Sequence, residues 1–145
     1  MGLDRLLKGW AMNTLPLGVP RPLIGDVIRL TRVHNVGGAF GIFQQNGLLF
    51  LVVSALVGCG LIALLAARPP RGVWAPLGLS IILGGAIGNL IDRLTYGSVI
   101  DFFEIRGFPV FNLADACVTV GTGLVLIHML FGGDRHRSRG QADRL

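Results

Sequence analysis

Three long apolar runs set the plan of this chain. They extend roughly from Leu48 to Ala67, from Trp74 to Ile91 and from Val110 to Phe131. Each approaches the ~20 residues a helix needs to cross a bilayer. Between the first two lies Arg68-Pro69-Pro70-Arg71-Gly72, a short turn broken by prolines and carrying two arginines. Beyond Phe131 the chain turns basic, with Arg135, Arg137, Arg139 and Arg144, and residues 132–145 read as a disordered tail. Two spans separate the Arg68–Gly72 turn from that tail, so both lie on one side. Short basic loops stay cytoplasmic, which puts the opposite ends of the spans on the outer side.

The stretch 17–43 follows a different pattern. Asp26-Val27-Ile28-Arg29-Leu30-Thr31-Arg32-Val33 alternates loosely and is rich in β-branched residues, which predicts short strands. Gly37-Gly38 predicts a turn or a close backbone approach. A small extracytoplasmic β segment on the membrane surface is expected. Near the N-terminus Leu3, Leu6, Leu7 and Trp10 share a helical face, but that helix carries Asp4, Arg5 and Lys8 and is too short to span. The fold class is therefore mainly α: one polytopic membrane domain over 1–145 with a small β element.

Composition agrees. The chain has 145 residues, 52% hydrophobic and 14% charged, with 22 glycines, too apolar for a soluble domain of this size. The net charge of +5 does not imply nucleic acid, because the basic residues fall in loops and at the C-terminus without interleaved aromatics. Cys59 and Cys117 sit inside apolar runs and read as small buried hydrophobes. No His/Cys/Glu cluster has metal-ligand spacing, so neither metal nor cofactor is expected.

Against this apolar background two polar clusters stand out. One is Gly88-Asn89-Leu90-Ile91-Asp92-Arg93 with Gly97-Ser98-Val99-Ile100-Asp101-Phe102; the other is Phe111-Asn112-Leu113-Ala114-Asp115. Ionisable groups at a bilayer edge are costly and mark function by default. Asn89, Asp92 and Arg93 are spaced to share a helical face, and Asn112 and Asp115 are spaced likewise. Asp101 falls on the connecting loop and could fold back between them. A purely structural reading has Asp92 and Arg93 neutralising each other and the asparagines capping helix ends, but it leaves Asp101 and Asp115 without local cations. Gly84, Gly85 and Gly88 include the small-xxx-small spacing of closely packed membrane helices, Gly84 to Gly88, and read as packing positions. His128 lies toward the cytoplasmic end and reads as interfacial, and His34 reads as a surface or substrate-facing residue. Two carboxylates that can meet suggest acid–base hydrolysis. The competing class is a small transporter or proton relay; against it, the acids gather at one face and no half-sequence repeats.

The ordered set of motifs resembles the lipoprotein signal peptidase (signal peptidase II) family. It comprises Leu3-Asp4-Arg5-Leu6-Leu7-Lys8, then Asn35-Val36-Gly37-Gly38-Ala39-Phe40, then the two polar clusters, and it covers nearly the whole chain. The resemblance implies an intramembrane aspartyl endopeptidase of the bacterial inner membrane, with its site at the extracytoplasmic face. Such enzymes remove the signal peptide of prolipoproteins by cleaving before a diacylglyceryl-modified cysteine. The partners implied are that substrate and membrane lipids, and a monomer is expected. The catalytic aspartates of the family fall on Asp101 and Asp115. Asn89, Arg93 and Asn112 match its polar support, Asn35 its surface-loop asparagine, Asp92 a structural acid and Asp4 an N-terminal acid near the site. In the implied mechanism one aspartate takes a proton from water and the other hydrogen-bonds the scissile carbonyl. Arg93 and Asn89 are expected to hold the Asp101 carboxylate, and Asn112 to orient Asp115 or the peptide. Two departures stand out. The family has four membrane helices, and Met1-Gly2 directly precedes Leu3, so most of the first helix is expected to be missing. His34 stands where the family usually has Arg.

Overall fold

A computed structural model describes residues 1–37, 46–68, 70 and 72–131. The elements run α1 (Gly2–Thr14), β1 (Arg21–Ile24), β2 (Ile28–Asn35), α2 (Gly47–Ala67), α3 (Trp74–Tyr96), β3 (Val99–Ile105) and α4 (Leu113–Phe131). Helices α2, α3 and α4 are long and apolar enough to cross a membrane. At 21 residues α2 is about 30 Å long, the thickness of a hydrocarbon core. Its sides are apolar all round and only Gly58 is buried by protein, as suits a helix solvated by lipid. The expected tail at 132–145, residues 38–43 of the surface segment, and Pro69 and Arg71 lie outside the described residues.

The spans pack around α3, which touches both α2 and α4. Glycines make the α3–α4 contact close. A Cβ on Gly85 would lie 2.5 Å from the Ala114 carbonyl oxygen, and one on Gly121 would lie 2.6 Å from that of Gly78. Without hydrophobic drive between helices in lipid, such backbone approach and the dispersion it allows supply much of the association. The seam is not the expected Gly84–Gly88 pair, since Gly84 has open space where its side chain would be. Gly88 does pack, but against Asp4 as well as Ala114.

Helix α3 runs on past the expected end at Ile91 to Tyr96, because Asp92 and Arg93 both find partners while still helical. It stops at Gly97, whose φ of 71° is the left-handed cap that glycine adopts without strain. The following residues are not the expected loop. They form β3, which joins the strands anticipated in 17–43 to make an antiparallel sheet in the order β1-β2-β3. Val33 pairs with Asp101 and Asn35 with Val99, with an irregularity between Leu30 and Val33. Beyond β3 the chain turns back, and Phe111 exchanges two 2.8 Å backbone hydrogen bonds with Phe103. That bridge sets the start of α4 beside the strand.

Helix α1 closes the structure from the other side. Ala11 and Leu15 are buried with Phe102 of β3. Its inward face also holds Asp4 and Lys8, while Leu3, Leu6 and Trp10 of the apolar stripe point outward. The usual arrangement is inverted because the charges have partners on α3. Arg32 of β2 donates at 2.6 Å to the Met12 carbonyl, satisfying an acceptor in the last turn of α1.

Candidate functional site

The start of α2, the end of α3 and the start of α4 fall at the same end of the bundle, and the sheet meets them there. Asp115 is the third residue of α4 and Asn112 is the residue before that helix. The Asn112 side-chain oxygen accepts from the Asp115 N–H at 3.0 Å, and the Asp115 carboxylate accepts from the Asn112 N–H at 3.1 Å. This reciprocal pair is a capping box built from Asn and Asp. The capping fixes the rotamer of Asp115 and sets its charge at the positive end of the helix.

Asp101 is delivered by β3 and is almost wholly buried. Its two oxygens accept from different amides, one from Asn112 Nδ2 at 2.7 Å and the other from Asn35 Nδ2 at 3.0 Å. Asn35 is itself held, its Oδ1 accepting from the Gly37 N–H at 3.0 Å. Asn89 of α3 donates to Asp115 at 2.7 Å, and its Oδ1 accepts from Asn112 Nδ2 at 3.0 Å. Two carboxylates from distant segments are thus joined through Asn89 and Asn112. Burial, and after it the charge of Asp115, push the Asp101 carboxyl up to about 7, opposed by the hydrogen bonds from Asn35 and Asn112 and by the charge of Lys8.

The structure rules on the alternative reading and corrects two expectations. Asp92 does not form an ion pair with Arg93, as the purely structural reading had it. Consecutive helical residues point about 100° apart, and Asp92 instead pairs with Arg5 and, at 2.8 Å, with Lys8. Its Oδ2 also accepts from the Ile100 N–H at 3.2 Å, anchoring β3 to α3. Arg93 does not hold Asp101: it donates to Ser54 Oγ at 3.3 Å and to the Gly37 carbonyl at 3.4 Å, tying α2 to the end of the sheet. Asn89 holds Asp115, whereas the Asp101 carboxylate is held by Asn35 and Asn112.

Asp4 accepts from the Ala114 N–H at 3.0 Å, a second acidic group on the first turn of α4. It fits because Gly88 has no side chain; a Cβ there would lie 2.8 Å from Asp4 Oδ2. Lys8, the last residue of the first motif, lies in the site although its motif alone does not place it there. It is buried, with Nζ 2.9 Å from Asn89 Oδ1 and 3.0 Å from Asp4 Oδ2, the latter outside hydrogen-bond alignment. The signal available was its spacing of four from Asp4 in a helix whose apolar stripe points elsewhere. His34 is exposed on β2, and His128 sits in the last turn of α4 beside Gly72, at the opposite end from Asp115. Both cysteines are free. Among the described residues no three His, Cys, Asp or Glu side chains converge as a metal-ligating group. An apolar groove of about 300 Å³ opens beside Asn112 between Phe103, Phe111 and Ala116. The site therefore offers two carboxylates in unlike surroundings, amides that fix them and an adjoining apolar surface.

A family model described as signal peptidase (SPase) II matches residues 1–131. The chain belongs to the signal peptidase II family. It is 39% identical over 139 residues to the lipoprotein signal peptidase of Brevibacillus brevis, covering 94% of this chain and 93% of the relative. To that of Streptococcus pneumoniae it is 40% identical over 132 residues, covering 90% and 86%. The fold is similar to a bacterial membrane enzyme solved by the in meso method at 2.3 Å resolution, with TM-score 0.82, 27% identity and coverage of 88% and 80%. A second bacterial membrane enzyme, solved at 1.9 Å, gives TM-score 0.79 at 27% identity, covering 89% and 86%. Family membership makes the chain an aspartic peptidase, and its three apolar helices make it a multi-pass membrane protein.

Proposed function

We propose that Asp101 and Asp115 are the catalytic pair and that the chain removes signal peptides from diacylglyceryl-modified prolipoproteins, cleaving before the lipidated cysteine. The observation that carries this reading is the joining of the two carboxylates through Asn89 and Asn112 at the edge of the spans. Amide hydrolysis needs a base for water and an acid for the carbonyl and the leaving nitrogen. Two carboxylates sharing one proton supply both. Asp101, buried and beside another carboxylate, keeps its proton near neutrality and hydrogen-bonds the scissile carbonyl. Asp115, holding charge at the start of α4, takes a proton from the attacking water. The tetrahedral intermediate collapses as that proton passes to the leaving nitrogen. The two macroscopic ionisations belong to the pair.

The location suits a lipidated substrate. Acyl chains stay in the bilayer or in the apolar groove beside Asn112 while the scissile bond meets the pair at the boundary. Arg68 lies at the far end of α2, so the positive-inside rule supports a site at the extracytoplasmic face of the bacterial inner membrane. A monomer is the state that the family resemblance implies. Asn35, Asn89 and Asn112 orient the pair; Arg93 holds the surface segment; Asp4 and Asp92 organise the helices beneath. The test is cleavage of a diacylglyceryl-modified prolipoprotein by purified protein in detergent. Asp101→Asn and Asp115→Asn are each expected to lower kcat by at least roughly 10²–10⁴-fold, with folded protein retained. Full activity in either variant overturns the assignment.

A further inference from the structure

The pair's polar neighbours lead back to a cation that does not touch either carboxylate. Lys8 is 1% exposed at its side chain, and its Nζ lies 2.9 Å from Asn89 Oδ1. The Nδ2 of the same amide donates at 2.7 Å to Asp115. Asn89 Oδ1 also takes the 3.0 Å bond from Asn112 Nδ2, and that nitrogen holds Asp101 at 2.7 Å. An ammonium on the carbonyl side of an amide draws electron density toward itself and makes the N–H groups on the other side better donors. Hydrogen bonds in such chains strengthen one another where the dielectric is low. We infer that Lys8 is a positioning residue that sets the protonation of the catalytic pair, acting through Asn89 rather than by contact. The inference rests on the reading of Asp101 and Asp115 as catalytic.

The other charges around the pair come from three elements. From α3 come Asp92, which is paired with Arg5 and Lys8, and Arg93, which is bonded to Ser54 and Gly37. From α1 come Asp4 and Arg5, directed to Ala114 and Asp92. From α4 comes Asp115 itself. The charges of Lys8 and Arg93 both bear on Asp101, and of the two only Lys8 also hydrogen-bonds an amide that holds the pair. A buried ion quartet that only held α1 in place would need Asp4, Arg5, Lys8 and Asp92 to meet one another. It would not need the ammonium to spend a donor on the amide that binds Asp115.

The experiment is the pH profile of kcat/KM for the purified protein in detergent, using a synthetic dipalmitoylglyceryl-cysteine prolipopeptide. Wild type is expected to give a bell. Lys8→Met removes a charge that favours ionised Asp101, so the alkaline limb should move to higher pH, by roughly one unit for a charge at this range. Where Lys8→Met fails to fold, Lys8→Gln, uncharged but polar, is used, and the same direction is expected. Folded variants with lower activity at every pH but unmoved midpoints would overturn the proposal and leave Lys8 as scaffold. Failure of the catalytic reading appears separately, as cleavage that survives Asp101→Asn.

Discussion

Asp101→Asn should make the protein inactive and, above neutrality, more stable. Burial and the neighbouring Asp115 charge raise the Asp101 carboxyl from 3.8 to about 7. The folded state therefore binds more protons than the unfolded one between those values, and stability falls as pH rises through that window. The difference is roughly 3 units at 1.36 kcal/mol each, so the ionised group costs the fold up to about 4 kcal/mol at high pH. Between pH 5 and pH 8 the change is roughly 3 kcal/mol, since part of the cost is already incurred at pH 5. Asn at this position does not titrate. Its NH₂ would oppose one of the two amide donors from Asn35 and Asn112, at a pH-independent cost of about 1–3 kcal/mol. The assay is reversible unfolding of both proteins in mixed micelles at pH 5, 6.5 and 8. The variant should gain on wild type by about 3 kcal/mol across that range, whatever the constant offset. A gap that stays the same at all three pH values would refute the burial account of Asp101.

Three further outcomes are expected. Wild-type cleavage should fall about tenfold per pH unit above the ionisation of the proton donor near 7, whereas an alkaline limb placed beyond pH 9 would assign the donor to another group. Asp92→Ala removes a fully buried carboxylate shared by Arg5 and Lys8 and should lower unfolding stability by about 3–5 kcal/mol; an unchanged unfolding midpoint would show that α1 docks without this pair. Gly85→Val puts a Cβ 2.5 Å from the Ala114 carbonyl oxygen and should cost about 1–3 kcal/mol by overpacking, while Gly84→Ala, facing open space, should be neutral in the same thermal melt.

The spans were legible because a bilayer imposes length and continuous apolarity, and α2, α3 and α4 obey both. The capping spacing of Asn112 and Asp115 was legible too, being local to one helix start. What the sequence did not carry was the partner of each polar group. Only the purely structural reading gave Asp92 a cation, its neighbour Arg93, because adjacency is all a linear reading offers. The actual cations come from α1, more than eighty positions away. Asp101 read as a loop residue because Ser98 and the glycine before it signal a turn, and only β2 supplies the edge that makes 99–105 a strand. The glycine seam was legible in part for a related reason. Gly85 and Gly88 do meet α4, but Gly84 faces open space and the seam continues through Gly78, which the spacing does not single out.

A charge count connects these pieces. Four carboxylates, Asp4, Asp92, Asp101 and Asp115, sit within one bonded network, and Arg5, Lys8 and Arg93 are the cations around it. With every group ionised the cluster would carry a net negative charge at low dielectric, where uncompensated charge is costly. One proton on the Asp101–Asp115 pair restores balance. The pair is therefore asked to share a proton by the whole cluster and not by mutual repulsion alone. Arg5 and Lys8 are drawn off to Asp92 and Asp4, and Arg93 is drawn off to Ser54 and Gly37. No cation then sits directly on either Asp101 or Asp115, the proposed pair, among the described residues. A cation placed there would hold both carboxylates ionised and remove the acid the reaction needs. The amides Asn35, Asn89 and Asn112 fill that place instead. They fix the geometry without adding a charge, and so leave the shared proton in the site.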